Sequence, residues 1–167
     1  MKQVFIIIVV LLVLLPIGLI VSPKVSAQKL PSFKVVGRDF TSLSILVSPN
    51  TTKEQLKALV YSFREARKNN SFRQISIPPT TPKGKKGDYG IIMIFVFSEP
   101  EWASEAKLKK SAKVPFNDPF CKEYSKHIKA YYYYAVTPIG APPNFEEGSI
   151  GYAENGQILT PIYEKLF

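Results

Sequence analysis

The sequence predicts an α+β domain: a mostly antiparallel sheet of about five to seven short strands with two main helices, after an N-terminal signal or anchor helix. Segments with strand-like and helix-like spacing of apolar residues follow one another roughly in the order β-β-α-β-β-α-β-β-β. Strands that follow each other without a helix between them favour antiparallel pairing, with the helices packed on one face. The chain has 167 residues, 46% of them hydrophobic, which suits one domain with a packed core.

Residues 1–27 have the composition of an export signal. Lys2 is followed by unbroken apolar sequence over residues 4–15. Val25 and Ala27 are small residues at the −3 and −1 positions of a possible cleavage site. This pattern predicts a signal peptide that is removed after Ala27.

A retained membrane anchor is the alternative. The apolar segment 4–21 has a length at the lower edge of a spanning helix, which needs roughly 17–25 residues. Pro16 and Gly18 interrupt it, and they suit the end of a signal peptide better than a long helix. In both cases Lys2 stays inside, so we expect residues 28–167 to form a single globular domain outside the cytoplasm.

The first half of that domain carries the clearest helix signal. Residues 33–36 and 42–47 read as strands, and a helix is expected within residues 48–70. Thr51 and Glu54, or Thr52 and Gln55, have the spacing of a capping box. The expected helix has one apolar stripe, made of Leu56, Leu59, Val60 and Phe63.

The middle of the chain predicts a buried strand between a loop and a second helix. Residues 72–77 read as a short strand, and the Pro- and Gly-rich residues 77–90 read as a long loop. Residues 90–98 are apolar on both faces, which is typical of a central strand. Ser98 is the expected cap of a second helix that runs to about Lys110.

The last third predicts more strands. After a short helix capped by Asp118, residues 128–136 alternate as a strand that contains four consecutive tyrosines. Residues 138–148 read as a loop, and Asn155-Gly156 predicts a tight hairpin between two short strands. The final four residues are expected to form a turn of helix.

Cys121 and His127 are the candidate catalytic residues. They are the only cysteine and the only histidine of the chain, six positions apart. A nucleophilic cysteine needs a base within hydrogen-bond reach, and this spacing on a helix does not ensure it. The alternative is a packed thiol and a surface histidine. A free thiol is also able to join two copies as a disulfide-linked homodimer.

Two groups of residues are candidates for ligand binding. Lys129, Tyr131 and Tyr133 share one face of the tyrosine strand and could stack sugars or bases; ordinary cross-strand packing is the alternative. A second group of lysines could form a patch for polyanions or a membrane surface: Lys83, Lys85, Lys86, Lys107, Lys109, Lys110 and Lys113. A solvated face is again the alternative.

Composition and spacing narrow the partners. The formal net charge of +9 favours an anionic envelope component or membrane surface, while export disfavours nucleic acid. A charge that serves only solubility is the alternative. One histidine, one cysteine and scattered carboxylates predict no metal site, and no motif predicts a cofactor.

Three functions remain as hypotheses. The first is an exported, non-enzymatic module that binds or assembles at the cell envelope. The second is a small exported enzyme with a thiol site at Cys121 and His127. The third is a membrane-tethered subunit of an envelope complex.

Overall fold

The computed structural model describes residues 29–81, 87–137 and 144–167. The predicted signal or anchor segment 1–27 and the loop lysines Lys83, Lys85 and Lys86 lie outside these residues. Within the described ranges, no helix combines the length and hydropathy needed to cross a membrane.

The described residues form an α+β fold around a mostly antiparallel sheet, as predicted. The strands are β1 (Phe33–Asp39), β2 (Ser42–Val47), β3 (Ile91–Phe97), β4 (Ala130–Ala135), β5 (Phe145–Ile150), β6 (Ala153–Glu154), β7 (Gln157–Ile158) and β8 (Glu164–Lys165). Six of them make one sheet in the order β1-β2-β3-β4-β5-β8, and β6 pairs with β7. Only the β2–β3 pair within these sheets is parallel.

Four helices accompany the sheet: α1 (Lys53–Lys68), α2 (Pro100–Ala103), α3 (Glu105–Ser111) and α4 (Pro119–Lys126). The second of the two possible capping boxes forms, with the Thr52 side chain accepting from the Gln55 backbone and the Gln55 side chain accepting from the Thr52 backbone. The Asp118 carboxylate caps α4 through the Phe120 amide at 2.7 Å. These local hydrogen bonds satisfy amides that have no partner inside the helices.

The helices cover both faces of the sheet, so the expectation that they lie on one face is wrong. The apolar stripe of α1 packs on one face, against alternate residues of β2, β3 and β4 such as Ile45, Ile94 and Tyr132. Ala103 and Leu108, from α2 and α3, and Tyr124 from α4 pack on the other face. The strand β3 is buried on both sides, which confirms that it is a central strand.

Two elements have a backbone conformation different from the one predicted. Residues 72–75 form a 3₁₀ helix instead of a strand, and Ser76 ends it in the left-handed region with φ 63°. The helix expected after Ser98 begins with Glu99 as its N-cap and is broken at Ser104, whose φ of −62° and ψ of 145° are extended.

The C-terminal segment also departs from expectation. Its predicted helical turn is the strand β8, which pairs with β5 through Ile150 and Glu164. Phe145–Gly148, expected in a loop, belong to β5. Beyond β8, Phe167 packs against the first face of the sheet, with its ring 6.4 Å from that of Tyr132.

The predicted hairpin is confirmed. Asn155 and Gly156 connect β6 to β7 with φ values of 49° and 79°. Both values are positive, as the two central residues of a type I′ turn require, and Asn-Gly is the pair that adopts them most readily.

Candidate functional site

The tyrosine strand β4 divides its side chains between the two faces of the sheet. Tyr132 is fully buried against α1. Tyr131 points to the other face and is 7% exposed, stacked on Phe95 with ring centroids 5.4 Å apart. Tyr133 lies half-buried on the same face as Tyr131, beside Phe145. The candidate strip of Lys129, Tyr131 and Tyr133 is therefore covered at its central residue.

Lys129 belongs to an ionic cluster that the sequence did not indicate. Its Nζ lies 3.3 Å from Glu99 Oε1, and the other oxygen of Glu99 contacts His127 Nδ1. Partial burial alone would raise the pKa of Glu99, but the hydrogen bonds from His127 and Lys129 outweigh it and hold that pKa below its ordinary value. Glu99 is therefore an anion that organises two neighbouring residues.

His127 is held by stacking as well as by carboxylates. It is the C-cap residue of α4, and its Nε2 lies 3.4 Å from Glu123. Its ring lies flat on Trp102, with centroids 4.0 Å apart and planes inclined by 9°. The Lys107 ammonium sits 3.4 Å from the centroid of the Trp102 ring. These contacts tie the end of α4 to α2 and α3.

Cys121 lies in different surroundings, on another side of α4. Six positions on a helix correspond to about 240° of rotation, so Cys121 and His127 point in different directions. The Cys121 thiol is 7% exposed and donates to the Ser111 carbonyl at 3.4 Å. Burial raises the pKa of this thiol, and the negative charges of Asp118 and Glu154 raise it further. The thiolate needed for nucleophilic chemistry is therefore disfavoured.

The Cys121 side chain lines a cavity of about 280 Å³, which we call the α3–α4 pocket. Its floor is the second face of the sheet, and its walls come from α3, α4 and the segment between them. Most of the lining is apolar and includes Met93, Phe95, Leu108, Val114, Phe116 and Ile128. A concave, mainly apolar space with a few polar groups is the usual form of a small-molecule site.

Two polar groups of the α3–α4 pocket stand out. The Tyr124 hydroxyl is buried with no partner in hydrogen-bond geometry, and Ser111 is the neighbouring polar side chain. The Tyr152 hydroxyl donates to the Glu154 carboxylate. Burial raises the pKa of both tyrosines, so both hydroxyls keep their protons.

Another charged cluster lies on the opposite face of the sheet. Glu146 accepts hydrogen bonds from Arg64, from Arg67 and from the Tyr132 hydroxyl. Arg67 also lies over the Tyr134 ring, 4.8 Å from its centroid. This cluster joins α1 to β4 and β5, and its groups are satisfied by one another, which is typical of a structural network.

The lysines of α3 are partly neutralised by near neighbours. Lys107 pairs with Glu101 at 2.8 Å, and Lys109 pairs with Glu105 one turn away. Lys110 lies over the Phe120 ring, 4.2 Å from its centroid. Exposed pairs of this kind leave less free positive charge than the sequence suggests.

Sequence reasoning missed the partners that define these sites. Tyr124 and Trp102 are not among the candidate residues that the sequence indicates. Tyr152 and Glu154 meet Tyr124 at the α3–α4 pocket, and Glu99 and Trp102 both contact His127. Both groups form by tertiary packing of distant segments. An aromatic residue followed two positions later by a carboxylate is too common to reveal such a pair.

The described residues contain no group of three or more histidine, cysteine, aspartate or glutamate side chains able to hold a metal ion. Comparisons of the chain with protein-family models, with curated proteins and with solved structures find no match. The fold class and the sites above therefore rest on the chain's own residues.

Proposed function

We propose that the chain is an exported, non-enzymatic module that binds or assembles at the cell envelope. Export is supported by the N-terminal sequence pattern, in which Lys2 precedes the apolar residues 4–15 and small residues precede Gln28. The absence of catalysis is supported by the buried Cys121 thiol, whose raised pKa disfavours the thiolate.

The proposal of binding rests on two exposed aromatic side chains at one end of the sheet. Phe40, in the turn between β1 and β2, is 86% exposed and has a φ of 44°. Phe145, at the start of β5, pairs with Ala135, which also pairs with Ile91 at the start of β3. Because β3 runs parallel to β2, Phe145 lies at the same end of the sheet as Phe40, and it is 49% exposed. Exposed aromatic side chains of this size are enriched in contact surfaces.

This end lies opposite the point where the N-terminal segment joins the sheet. Leu30 and Ser32 lie beside Ser48 and Asn50, next to the start of β1. The seven residues of β1 separate that point from Phe40, a distance of about 23 Å along an extended strand. The two exposed phenylalanines therefore lie at the end of the sheet that is farther from the start of β1.

The test is expression of the full chain in a bacterial host, followed by fractionation and intact mass measurement. We expect a species outside the cytoplasm that starts at Gln28; a membrane-bound species with the full N-terminus would support the tethered subunit. A chain that stays in the cytoplasm would overturn the proposal.

Binding is then measured by sedimentation with washed envelope fragments at about 0.15 M salt. Changing Phe40 and Phe145 to serine should reduce the bound fraction. Ile158→Ser is the matched control, since Ile158 is 59% exposed on β7. Equal loss in the control, or no binding by the unchanged protein, would contradict the proposal.

The second candidate, a thiol enzyme, is favoured by one observation: Cys121 lines the α3–α4 pocket. It would require a change of environment that frees the thiol and brings a base to it. Reactivity of the thiol separates the two candidates, because a thiol enzyme needs a Cys121 that reacts with thiol reagents in the folded protein and a binding module does not.

A further inference from the structure

The Tyr124 hydroxyl is buried and makes no hydrogen bond of regular geometry within the described residues, and the Ser111 side chain is its polar neighbour. Tyr124 is 3% exposed, and its ring is fixed by neighbours that include Phe97, with centroids 5.2 Å apart. Most buried polar groups in native proteins have a hydrogen-bond partner. Because this hydroxyl lines a cavity, a ligand in the cavity would be able to accept its hydrogen bond.

We propose that the α3–α4 pocket binds a neutral, mostly apolar small molecule whose one acceptor oxygen accepts a hydrogen bond from the Tyr124 hydroxyl. The proposal goes beyond the envelope function and does not depend on it, because the pocket and the exposed phenylalanines are formed by different residues.

The size of the cavity sets the size of the ligand. A cavity of roughly 150 Å³ lined by apolar side chains holds one benzene molecule. The α3–α4 pocket, at about 280 Å³, has room in proportion for about 11 non-hydrogen atoms.

The lining also sets the charge of the ligand. Glu154 contributes a carboxylate, and its Tyr152 partner is a protonated phenol. Among the described residues that line the pocket there is no lysine or arginine. An anionic ligand would therefore meet a like charge and no counterion, and its own charge would be desolvated at a large cost.

Three test ligands of nearly equal shape separate these features: 4-phenylbutan-2-one, butylbenzene and 3-phenylpropanoate. The ketone has an apolar body and one acceptor oxygen, the hydrocarbon lacks that oxygen, and the carboxylate adds a charge. The protein is produced from the full sequence and purified in the form that accumulates. Methyl resonances of Met93, Leu108 and Ile128 are followed by NMR during each titration.

We expect the ketone to shift these resonances and to bind about five-fold more tightly than butylbenzene, the ratio expected for one net hydrogen bond. The carboxylate should bind more weakly than both. In Tyr124→Phe the ketone and the hydrocarbon should bind equally. Tyr61→Phe, which removes an exposed hydroxyl elsewhere, should keep the five-fold ratio.

Equal binding of ketone and hydrocarbon by the unchanged protein would overturn the proposal, and so would tight binding of the carboxylate. Absence of any shift at the solubility limit of the three ligands would identify the cavity as a packing gap. The comparison of ketone with hydrocarbon uses the unchanged protein and so does not depend on the folding of a variant. For Tyr124→Phe, a thermal melt verifies that the variant is folded.

Discussion

Arg67 holds Glu146 by two hydrogen bonds, from Nε to Oε1 at 3.0 Å and from Nη2 to Oε2 at 3.1 Å. The pair connects the last turn of α1 to β5, and the Glu146 side chain is 12% exposed. A bidentate pair with this burial is stronger and more directional than an exposed ion pair.

Glu146→Gln should lower the free energy of unfolding by about 1–3 kcal/mol, because it weakens charge-assisted hydrogen bonds to groups that remain partly buried. Urea unfolding followed by circular dichroism measures this. Glu65→Gln is the control: its Lys68 partner is exposed, and the loss should stay below about 1 kcal/mol. Equal losses would mean that the Glu146 cluster contributes nothing beyond a surface pair.

The same residue predicts a pH dependence. Partial burial alone would raise the pKa of Glu146, but hydrogen bonds from Arg67 and Tyr132 outweigh it and hold the pKa below its ordinary value of 4.5. Glu146 therefore stabilises the fold above pH 4.5, and this contribution is lost as the pH falls through its lowered pKa. The stability difference between the unchanged protein and Glu146→Gln should shrink below pH 4.5. A difference independent of pH would contradict this origin.

Gly151 and Gly156 test two effects of glycine separately. Both have positive φ, 68° and 79°, but a Cβ at Gly156 would meet open space. A Cβ at Gly151 would overlap the Ile162 carbonyl oxygen and the Thr160 hydroxyl. Gly156→Ala should lower the free energy of unfolding by about 1–2 kcal/mol, because its backbone would be strained. Gly151→Ala should cost roughly 1–3 kcal/mol more from crowding. Thermal unfolding of both variants would show similar midpoints if crowding were relieved at no cost.

Cys121 should react slowly in the folded protein. Its thiol is 7% exposed, and burial together with nearby carboxylates raises its pKa. We expect a chromogenic disulfide reagent to label it much more slowly in buffer than in denaturant. The control is Cys121→Ser combined with Lys122→Cys, which places a thiol at the exposed neighbouring position and should react fast. Similar rates for the two proteins would show that the pocket opens readily.

Local patterns predicted the elements whose signals are complete within a few residues. The capping box of α1, the Asn155-Gly156 turn and the doubly apolar β3 all formed where expected. Each depends on neighbours in sequence or on the burial of one continuous segment. The 3₁₀ helix at residues 72–75 and the break at Ser104 were missed, because tertiary contacts decide such short elements.

The sequence does not predict the surroundings of the candidate site residues. Cys121 and His127 were the natural candidates as the only residues of their types, and their tertiary environments give them separate partners: Ser111 for the thiol, and Glu99 with Trp102 for the imidazole. Rarity of a residue type in a sequence says nothing about the dielectric and charge around it, and those determine its pKa.

By itself, then, the sequence determined the α+β class and the positions of the best helix and of the tight hairpin, while export through residues 1–27 stays a prediction. Their signals are local, because propensity, capping and periodicity act over a few residues. Tertiary structure alone decided that helices cover both faces of the sheet. It also decided that Tyr131 is buried and that Tyr124, Cys121 and Glu154 border one cavity. These features depend on contacts between distant segments, whose geometry is set by packing the whole chain at once.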